Sequence, residues 1–284
     1  MIDIDAHFDT ATNTVTYVVT DVETKVAVII DPVLDYDPHR AALDTDSADK
    51  ILAGVRARGL ILAWVLDTHV HADHLSAADY VRNKTGAKVG IGARFTDVQK
   101  LFRPMFNIVD GSADDTVFDT LFEDGQDIPF GSTSIRAMHT PGHTPACLTY
   151  LIEDAAFVGD TLFMPDYGTA RADFPGGDAR TLYRSIQKIL NLPEKTRIFV
   201  GHDYLPEDRD KPAWETTVAQ QAASNIHLRG SSEDAYVAMR ELRDATLGAP
   251  RLILPSLQVN IRAGALPPAE GDGHTYLKLP VNRL

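Results

Sequence analysis

The stretch DTHVHADHLSAADY, residues 67–80, decides the fold, because its first eight residues hold three histidines and two aspartates. It follows the apolar run Leu60 to Leu66, which is predicted to be a buried strand. Packing favours apolar side chains at such a place, so the histidines point to another purpose. His69 and His71 alternate by two and face the same side of an extended backbone. Asp73 and His74 follow where a turn into the next helix aims them at a neighbouring position.

Three later β-rich runs also end in histidine or aspartate. Residues 134–138 lead to His139 and then TPGHT with His143, residues 155–158 lead to GDTLF with Asp160, and residues 198–200 lead to GHDY with His202. Strand ends and their loops commonly carry active sites. Imidazole and carboxylate together suit zinc, iron or manganese. A lone histidine is more often structural, but the ordered set of four motifs predicts a metal site.

Periodicity along the rest of the chain predicts one α/β domain, residues 1–284, of two sheets covered by helices. Five helices are predicted. The first begins at Ser47 as its N-cap, the second spans Leu75 to Lys84, and the third follows Asp178 as far as Pro193. The last two cover Ala213 to His227 and Ser232 to Gly248, with a loop or strand beyond. Residues 95–120 have no clean period and are predicted to be an insertion or a lid loop. Residues 206–284 are predicted to be a C-terminal appendage.

Composition narrows the classes of partner. The net charge of −13 repels nucleic acid and anionic lipid, so we expect neither as a partner. The first residues show no signal peptide, and the longest apolar run is far shorter than the ~20 residues that span a bilayer. A single cysteine, Cys147, excludes an internal disulfide and fits a reducing compartment. We therefore expect a soluble, cytoplasmic protein.

The motifs HxHxDH, PGHT, GD and GH, in this order, resemble those of the metallo-β-lactamase superfamily over about residues 13–204. The resemblance implies an α/β fold, an αββα sandwich of two mixed sheets flanked by helices. It also implies a mononuclear or dinuclear metal site in the cleft between the sheets. It says little about the reaction, because one fold hosts many chemistries.

Within the superfamily, the chain is similar to the glutathione persulfide dioxygenases. The similarity lies in IIDPVLDYD (29–37), THVHADH (68–74), PGHTPAC (141–147), GDTLF (159–163), ARADF (170–174) and GHDYL (201–205). It implies one Fe(II) per chain, held by His69, His143 and Asp160 as a 2-His-1-carboxylate set. His71, Asp73, His74 and His202 then surround that site or form a second one. Ala146 stands where the family has glycine, and residues 95–120 are longer than the family leads us to expect.

The resemblance also suggests residues that act on the substrate. The family's R-x-D-F matches Arg171, Asp173 and Phe174, and its N-x-R-x-G matches Asn260, Arg262 and Gly264. Arg171 and Arg262 are candidates for binding the persulfide, with Asp173 fixing the guanidinium of Arg171. An Arg171–Asp173 salt bridge that merely holds a loop is an equal alternative. Tyr204 and Tyr167 are candidates for donating to substrate or water, with packing as their simpler role. Oxidation by O₂ would give sulfite and glutathione.

Other functions stay open at this point. A glyoxalase II-type hydrolase would use the same ligands with up to two Zn(II), the second at Asp73, His74 and His202, bridged by Asp160. A metal-binding sensor without turnover is a third reading, and a β-lactamase fits least. Cys147 is expected to be a small buried residue, with a redox-sensitive thiol as the alternative. A homo-oligomer is also left open.

Overall fold

In the computed structural model, which describes residues 1–109, 111–114 and 116–283, two six-stranded mixed sheets form the centre of the chain. The first sheet contains, in spatial order, β1 (Ile2–Asp9), β2 (Thr14–Asp21), β3 (Val26–Ile30), β6 (Ile61–Leu66), β8 (Lys88–Gly92) and β9 (Thr120–Phe122). The second contains β10 (Asp127–Phe130), β11 (Thr133–His139), β12 (Leu148–Ile152), β13 (Ala155–Phe157), β14 (Arg197–Phe199) and β15 (Glu215–Thr217). A small third sheet orders β5 (Ala42–Asp44), β4 (Val33–Asp37) and β7 (Leu75–Ser76).

The two large sheets pack face to face through alternating apolar residues. On β2, Val15, Tyr17 and Val19 point toward the second sheet and contact a cluster that includes Phe130 and Phe157. Alternate residues of the same strands point away and are covered by helices, as the period of two along a strand requires. The predicted αββα sandwich is therefore confirmed.

Helices cover both outer faces. Those beside the first sheet are α1 (Asp46–Ala57), α2 (Ala78–Thr85), α3 (Phe95–Met105) and α7 (Ile253–Asn260), and those beside the second are α4 (Ala179–Leu190), α5 (Val218–Ser224) and α6 (Glu233–Asp244). The predicted start of α4 is confirmed, because the carboxylate of Asp178 accepts from the N–H of Thr181 at 2.7 Å. Among the described residues, no helix is long and apolar enough to cross a membrane.

Strand register explains why the polar loops meet at one edge. Ile30 pairs with Leu66 in the parallel pair β3–β6, so Asp31 and the stretch from Asp67 emerge side by side. Phe157 likewise pairs with Phe199 in the parallel pair β13–β14. The loops that follow these two strands leave the second sheet together, and they carry the GD and GH motifs.

Two predicted features near the N-terminal half are wrong in detail. Ser47 does not cap α1, because it lies inside the first turn and both its N–H and its hydroxyl donate to Asp35, at 2.8 and 2.6 Å. The segment 95–120 is not a loop throughout. Residues 95–105 form α3, whose buried Phe95, Val98 and Phe102 follow a helical period. Asp110 and Asp115 lie outside the described residues, and whether the segment is an insertion stays a prediction.

The C-terminal region also differs from the prediction. Ala213 to His227 is not one helix, since β15 precedes α5 and Thr217 caps that helix by accepting from the N–H of Gln220 at 3.2 Å. Beyond Gly248 the chain forms α7, with Pro255 in its first turn, where the missing N–H is tolerated. The division into one domain with an appendage at 206–284 stays a prediction, and Leu284 lies outside the described residues.

Candidate metal centre

All seven predicted ligands meet at one end of the sandwich, in two adjacent groups. The three-donor group consists of His69, His143 and Asp160, and the four-donor group consists of His71, Asp73, His74 and His202. Within each group the ligand atoms lie within 4.8 Å of one another. The groups could therefore each hold a metal ion.

Asp160 lies between the two groups and presents one oxygen to each. Its Oδ2 is 3.8 Å from Nε2 of His69 and 3.6 Å from Nε2 of His143. Its Oδ1 is 3.4 Å from Nε2 of His202. The preceding Gly159 adopts a φ of 50°, and a Cβ there would lie 2.5 Å from Oγ1 of Thr68. Glycine is thus required where the GD turn passes the histidine loop.

Each of the five histidines has one ring nitrogen bound to a partner outside the cluster. The contacts are His69 Nδ1 to Thr68 Oγ1 (3.0 Å), His143 Nδ1 to the carbonyl of Arg171 (2.8 Å), His71 Nε2 to Asp31 (2.9 Å), His74 Nδ1 to the carbonyl of Leu75 (3.1 Å) and His202 Nδ1 to the carbonyl of Asn13 (3.3 Å). A carbonyl or carboxylate can only accept, so the four nitrogens that contact one carry the proton. The hydroxyl of Thr68 donates to Asp31, so its oxygen likewise accepts from His69. The opposite nitrogen of each ring is then left with a lone pair directed into the cluster.

The atoms that point inward have no hydrogen-bond partner among the described residues. They are His69 Nε2, His71 Nδ1, His74 Nε2, His202 Nε2, Asp73 Oδ2 and Asp160 Oδ1, all buried. A buried polar atom without a partner costs about 1–3 kcal/mol, so a native structure does not collect six at one point without compensation. One cation in each group would satisfy all of them. The donor set and the orphaned atoms therefore fit a metal.

One buried carboxylate, Asp31, supports a histidine in each group. It accepts from Nε2 of His71 at 2.9 Å, from the N–H of Thr68 at 2.7 Å and from the hydroxyl of Thr68 at 2.8 Å. Since that hydroxyl donates to Asp31, its oxygen accepts from Nδ1 of His69. Burial alone would raise the pKa of Asp31, but His71 and these hydrogen bonds lower it below its usual range. Asp31 belongs to the quoted IIDPVLD, yet no motif predicted this role.

Asp67, the first residue of the opening stretch, lies behind the ligands. Asp31, Asp67 and His71 form a third compact group. The oxygens of Asp31 are already occupied by donors, and both oxygens of Asp67 accept from the hydroxyl of Ser76 at 3.0 Å. Burial raises the pKa of Asp67 to about 7. We therefore interpret this third group as support for the site and not as a further metal position.

A cleft of about 580 Å³ opens over the cluster. Its walls include His143 and Asp160 of the three-donor group and Asp73 of the four-donor group. Tyr204 also lines the cleft, with its ring 5.5 Å from that of His202 and 5.1 Å from that of Tyr167. Burial and the nearby carboxylates raise the pKa of Tyr204, which keeps its hydroxyl protonated and able to donate.

Arg171 lines the same cleft, and three of its side-chain nitrogens donate hydrogen bonds to two partners. Its Nε and Nη2 donate to the two oxygens of Asp173 at 2.6 and 2.7 Å, and its Nη1 donates to the carbonyl of Gly248 at 2.7 Å. The loop-holding alternative is therefore realised in the structure. Arg262 is different: it is 4% exposed, donates to the carbonyl of Gln258 and is not among the residues that line the cleft. The structure does not bring it to the site.

Asn260, the first residue of the N-x-R-x-G match, fixes the loop that carries the ligands. Its Nδ2 donates to the carbonyls of His71 and His74, both at 2.8 Å, and its Oδ1 accepts from the N–H of Ser76 at 2.8 Å. Cys147 is 2% exposed and lies beside Thr144, and burial raises its pKa to about 12. A neutral, enclosed thiol of this kind behaves as a small core residue.

Comparison with known proteins agrees with this geometry. The model of the family described as "Metallo-beta-lactamase superfamily" matches residues 9–202. The chain is 52% identical to the "Beta-lactamase hydrolase-like protein" of Xylella fastidiosa (strain Temecula1 / ATCC 700964) over 99% of its own length. It spans only 65% of that relative. It is 47% identical to "Glyoxylase B2" of Dictyostelium discoideum, over 94% of this chain and 92% of the relative.

Two further matches carry the name ETHE1. The chain is 31% identical to "Persulfide dioxygenase ETHE1, mitochondrial" of Homo sapiens, over 92% of this chain and 88% of the relative. Among solved structures, that of ETHE1 from Myxococcus xanthus superposes with a TM-score of 0.75 at 30% identity, covering 93% of this chain and all of the other.

Proposed function

Because the chain belongs to the metallo-beta-lactamase superfamily, we propose that it is a metal-dependent enzyme that oxidises glutathione persulfide with O₂. The observation that carries the proposal is the three-donor group, whose His143 and Asp160 line the cleft. Two histidines and one carboxylate with open positions are the ligand type of non-haem Fe(II) oxygenases. The likeness to a human persulfide dioxygenase at 31% identity supports the same reaction.

The proposed cofactor is one Fe(II) per chain, held by His69, His143 and Asp160. It would supply the redox chemistry by which dioxygen oxidises sulfur. In the overall reaction, a persulfide anion, O₂ and water give the thiol and hydrogen sulfite. The two persulfide sulfurs together lose four electrons, O₂ gains them, and the sulfur–sulfur bond breaks with the thiol as leaving group.

The protein's own part is to orient ligands and substrate. Thr68 and the carbonyl of Arg171 hold the outer nitrogens of His69 and His143, so both rings keep one direction. The hydroxyl of Tyr204 stays protonated, and we propose that it donates to the substrate or to water in the cleft. Arg171 is proposed to attract the persulfide anion while Asp173 fixes its guanidinium. The binding role predicted for Arg262 has no support from its position.

An assay with two substrates tests this proposal. Protein reconstituted anaerobically with Fe(II) is mixed with glutathione persulfide, and O₂ uptake and sulfite are measured together. The same preparation, and a zinc-loaded one, are given a glutathione thioester. We expect O₂ uptake matched one-to-one by sulfite, with little thioester cleavage. Thioester cleavage without O₂ uptake would overturn the proposal.

The second candidate is a dinuclear hydrolase of a glutathione thioester, with up to two Zn(II). It is favoured by the position of Asp160, which presents one oxygen to each group, and by the 47% identity to a protein named Glyoxylase B2. Tight metal binding with neither reaction would indicate the non-catalytic sensor. A cytoplasmic location and a homo-oligomer remain predictions, as do the activity and partners of any longer protein of which this chain is part.

A further inference from the structure

Helix α6 carries a buried ion pair, Arg240 and Asp244, that is not part of the ligand set. Nε and Nη2 of Arg240 are 2.9 and 2.7 Å from Oδ1 of Asp244, one helical turn away. Both residues are less than 5% exposed. Burying two charges carries a desolvation cost that their attraction often fails to recover. We therefore expect this pair to have a role besides stabilising the fold.

The second oxygen of Asp244 reaches the metal cluster through a single peptide group. Its Oδ2 accepts from the N–H of Ala172 at 2.8 Å. The carbonyl of that same peptide unit belongs to Arg171, and it accepts from Nδ1 of His143 at 2.8 Å. The peptide is planar, so the carboxylate and the imidazole are joined by one rigid connector.

From this geometry we propose that Asp244, paired with Arg240, is a positioning residue for His143, acting through the peptide group between Arg171 and Ala172. A carboxylate that accepts from the N–H polarises the peptide and makes its carbonyl a stronger acceptor. The carbonyl then fixes the ring of His143 and raises the basicity of its inner nitrogen. A carboxylate bonded directly to a ligating histidine has the same effect.

The remaining contacts of the loop keep this peptide from turning. The carbonyl of Thr169 accepts from Nη1 of Arg240 at 3.0 Å, and its N–H donates to Nδ1 of His227 at 3.0 Å. Gly248 accepts from the side chain of Arg171. The C-terminal region thus anchors the loop at Thr169 and at Arg171, the residues that lead into the connector. His69 has a parallel arrangement, in which the hydroxyl of Thr68 connects the ring to Asp31.

The simpler role of the pair is to attach α6 to the rest of the protein, and the test must separate the two. The inference rests on the proposed metal-binding role of His143, but not on the reaction. We therefore choose the affinity of the metal-free protein for Co(II) as the readout, measured against a competing chromophoric chelator. The background is Asp73→Asn combined with His74→Ala, which leaves only two of the four donors in the four-donor group and keeps every residue of the three-donor group.

Three variants are compared in that background. Asp244→Asn keeps an acceptor for Ala172 and removes the charge. Arg240→Met with Asp244→Asn removes both charges, so no unpaired guanidinium stays buried. Asp234→Asn is the matched control, because it is the same substitution on the same helix and breaks an exposed ion pair with Arg180. Thermal unfolding and the visible spectrum of bound Co(II) are recorded for each.

We expect Asp244→Asn and the double variant to bind Co(II) ~10–100-fold more weakly, the range found when an outer partner of a metal ligand is lost. The Co(II) spectrum should change with the affinity, and the control should match the background. A double variant that regains thermal stability and still binds weakly would separate positioning from structural support. Unchanged Co(II) affinity and spectrum, with only the unfolding temperature shifted, would overturn the inference. Absence of O₂ uptake, by contrast, would count only against the proposed reaction.

Discussion

The three-donor and four-donor groups share one end of the sandwich, yet they differ in what they leave open. Four donors, three histidines and Asp73, are enough to complete the tetrahedral coordination that zinc prefers. Three donors leave positions free for other molecules. Among the described residues, two of the three members of the three-donor group line the cleft, whereas only Asp73 of the four-donor group does so. The comparison suggests that substrate chemistry belongs to the smaller group.

The groups also differ in their outer support. Both histidines of the three-donor group are backed by a buried carboxylate through a connector, His69 through Thr68 and His143 through a peptide. In the four-donor group, His71 contacts Asp31 directly. His74 and His202 are held by backbone carbonyls at 3.1 and 3.3 Å. The group with open positions is thus the one in which every histidine is coupled to a carboxylate.

The largest expected effect is that of Asp160→Asn, because its two oxygens face the two groups. The amide has one oxygen and no charge, so both groups should lose metal. We expect an affinity loss greater than the ~100-fold upper range for outer partners, together with loss of oxidation. Elemental analysis and O₂ uptake measure this. A variant that retains its full metal content would show that Asp160 does not join the groups.

Asp31→Asn should have the next largest effect, since this carboxylate supports His71 directly and His69 through Thr68. We expect ~10–100-fold weaker metal binding in both groups. Asp35→Asn is a matched control in the same segment, where the carboxylate contacts Ser47 instead of a histidine. Competition titrations with Co(II) compare the two. Weakening confined to one group would break the idea of a shared support.

Asp73→Asn should affect the four-donor group alone. Because Asp73 is 3.2 Å from His202 but is not part of the three-donor group, we expect one metal ion and most of the activity to remain. Losses within ~10-fold would fit the role of an outer partner. If Asp73→Asn and Asp160→Asn lose metal content and reaction rate in parallel, the result would support a dinuclear site and contradict a mononuclear one.

Cys147→Ala should have the smallest effect. The thiol is enclosed, and burial raises its pKa to about 12, so it is neutral at pH 8. We expect unchanged metal content and rate, and no reaction of the folded wild-type protein with iodoacetamide at pH 8. Rapid alkylation under native conditions, detected by mass spectrometry, would contradict this.

The sequence allowed prediction of the sandwich and of the seven side chains that the structure brings together in two groups, because each of them follows a β-rich run within a recognisable motif. The supports of those ligands were not predictable. Asp244 reaches His143 through a peptide of a distant loop. Asp31 reaches the histidine loop because the parallel pairing of β3 with β6 places the ends of these two strands side by side. Such contacts arise only from tertiary structure. The burial of Arg262 was missed for the same reason.

Local signals misled in two other places. Helix α3 follows a helical period at Phe95, Val98 and Phe102, but Pro104 near its end and the polar run after it suggested a loop. Ser47 has the residue type of an N-cap, yet Asp35 of the neighbouring strand takes both of its donors. For Ser47 a tertiary contact decided what local propensity left open, whereas for α3 the helical signal was present in the sequence and was outweighed by the residues that follow it.

The most direct test of the central claim, that one metal in the three-donor group suffices, is an anaerobic titration of metal-free protein with Fe(II). Oxidation of glutathione persulfide is followed at each step by O₂ uptake and sulfite. We predict that the rate rises linearly and reaches its plateau at about one iron per chain, with sulfite equal to the O₂ consumed. A plateau reached only at two metal ions, or no O₂ uptake at any ratio, would contradict the account.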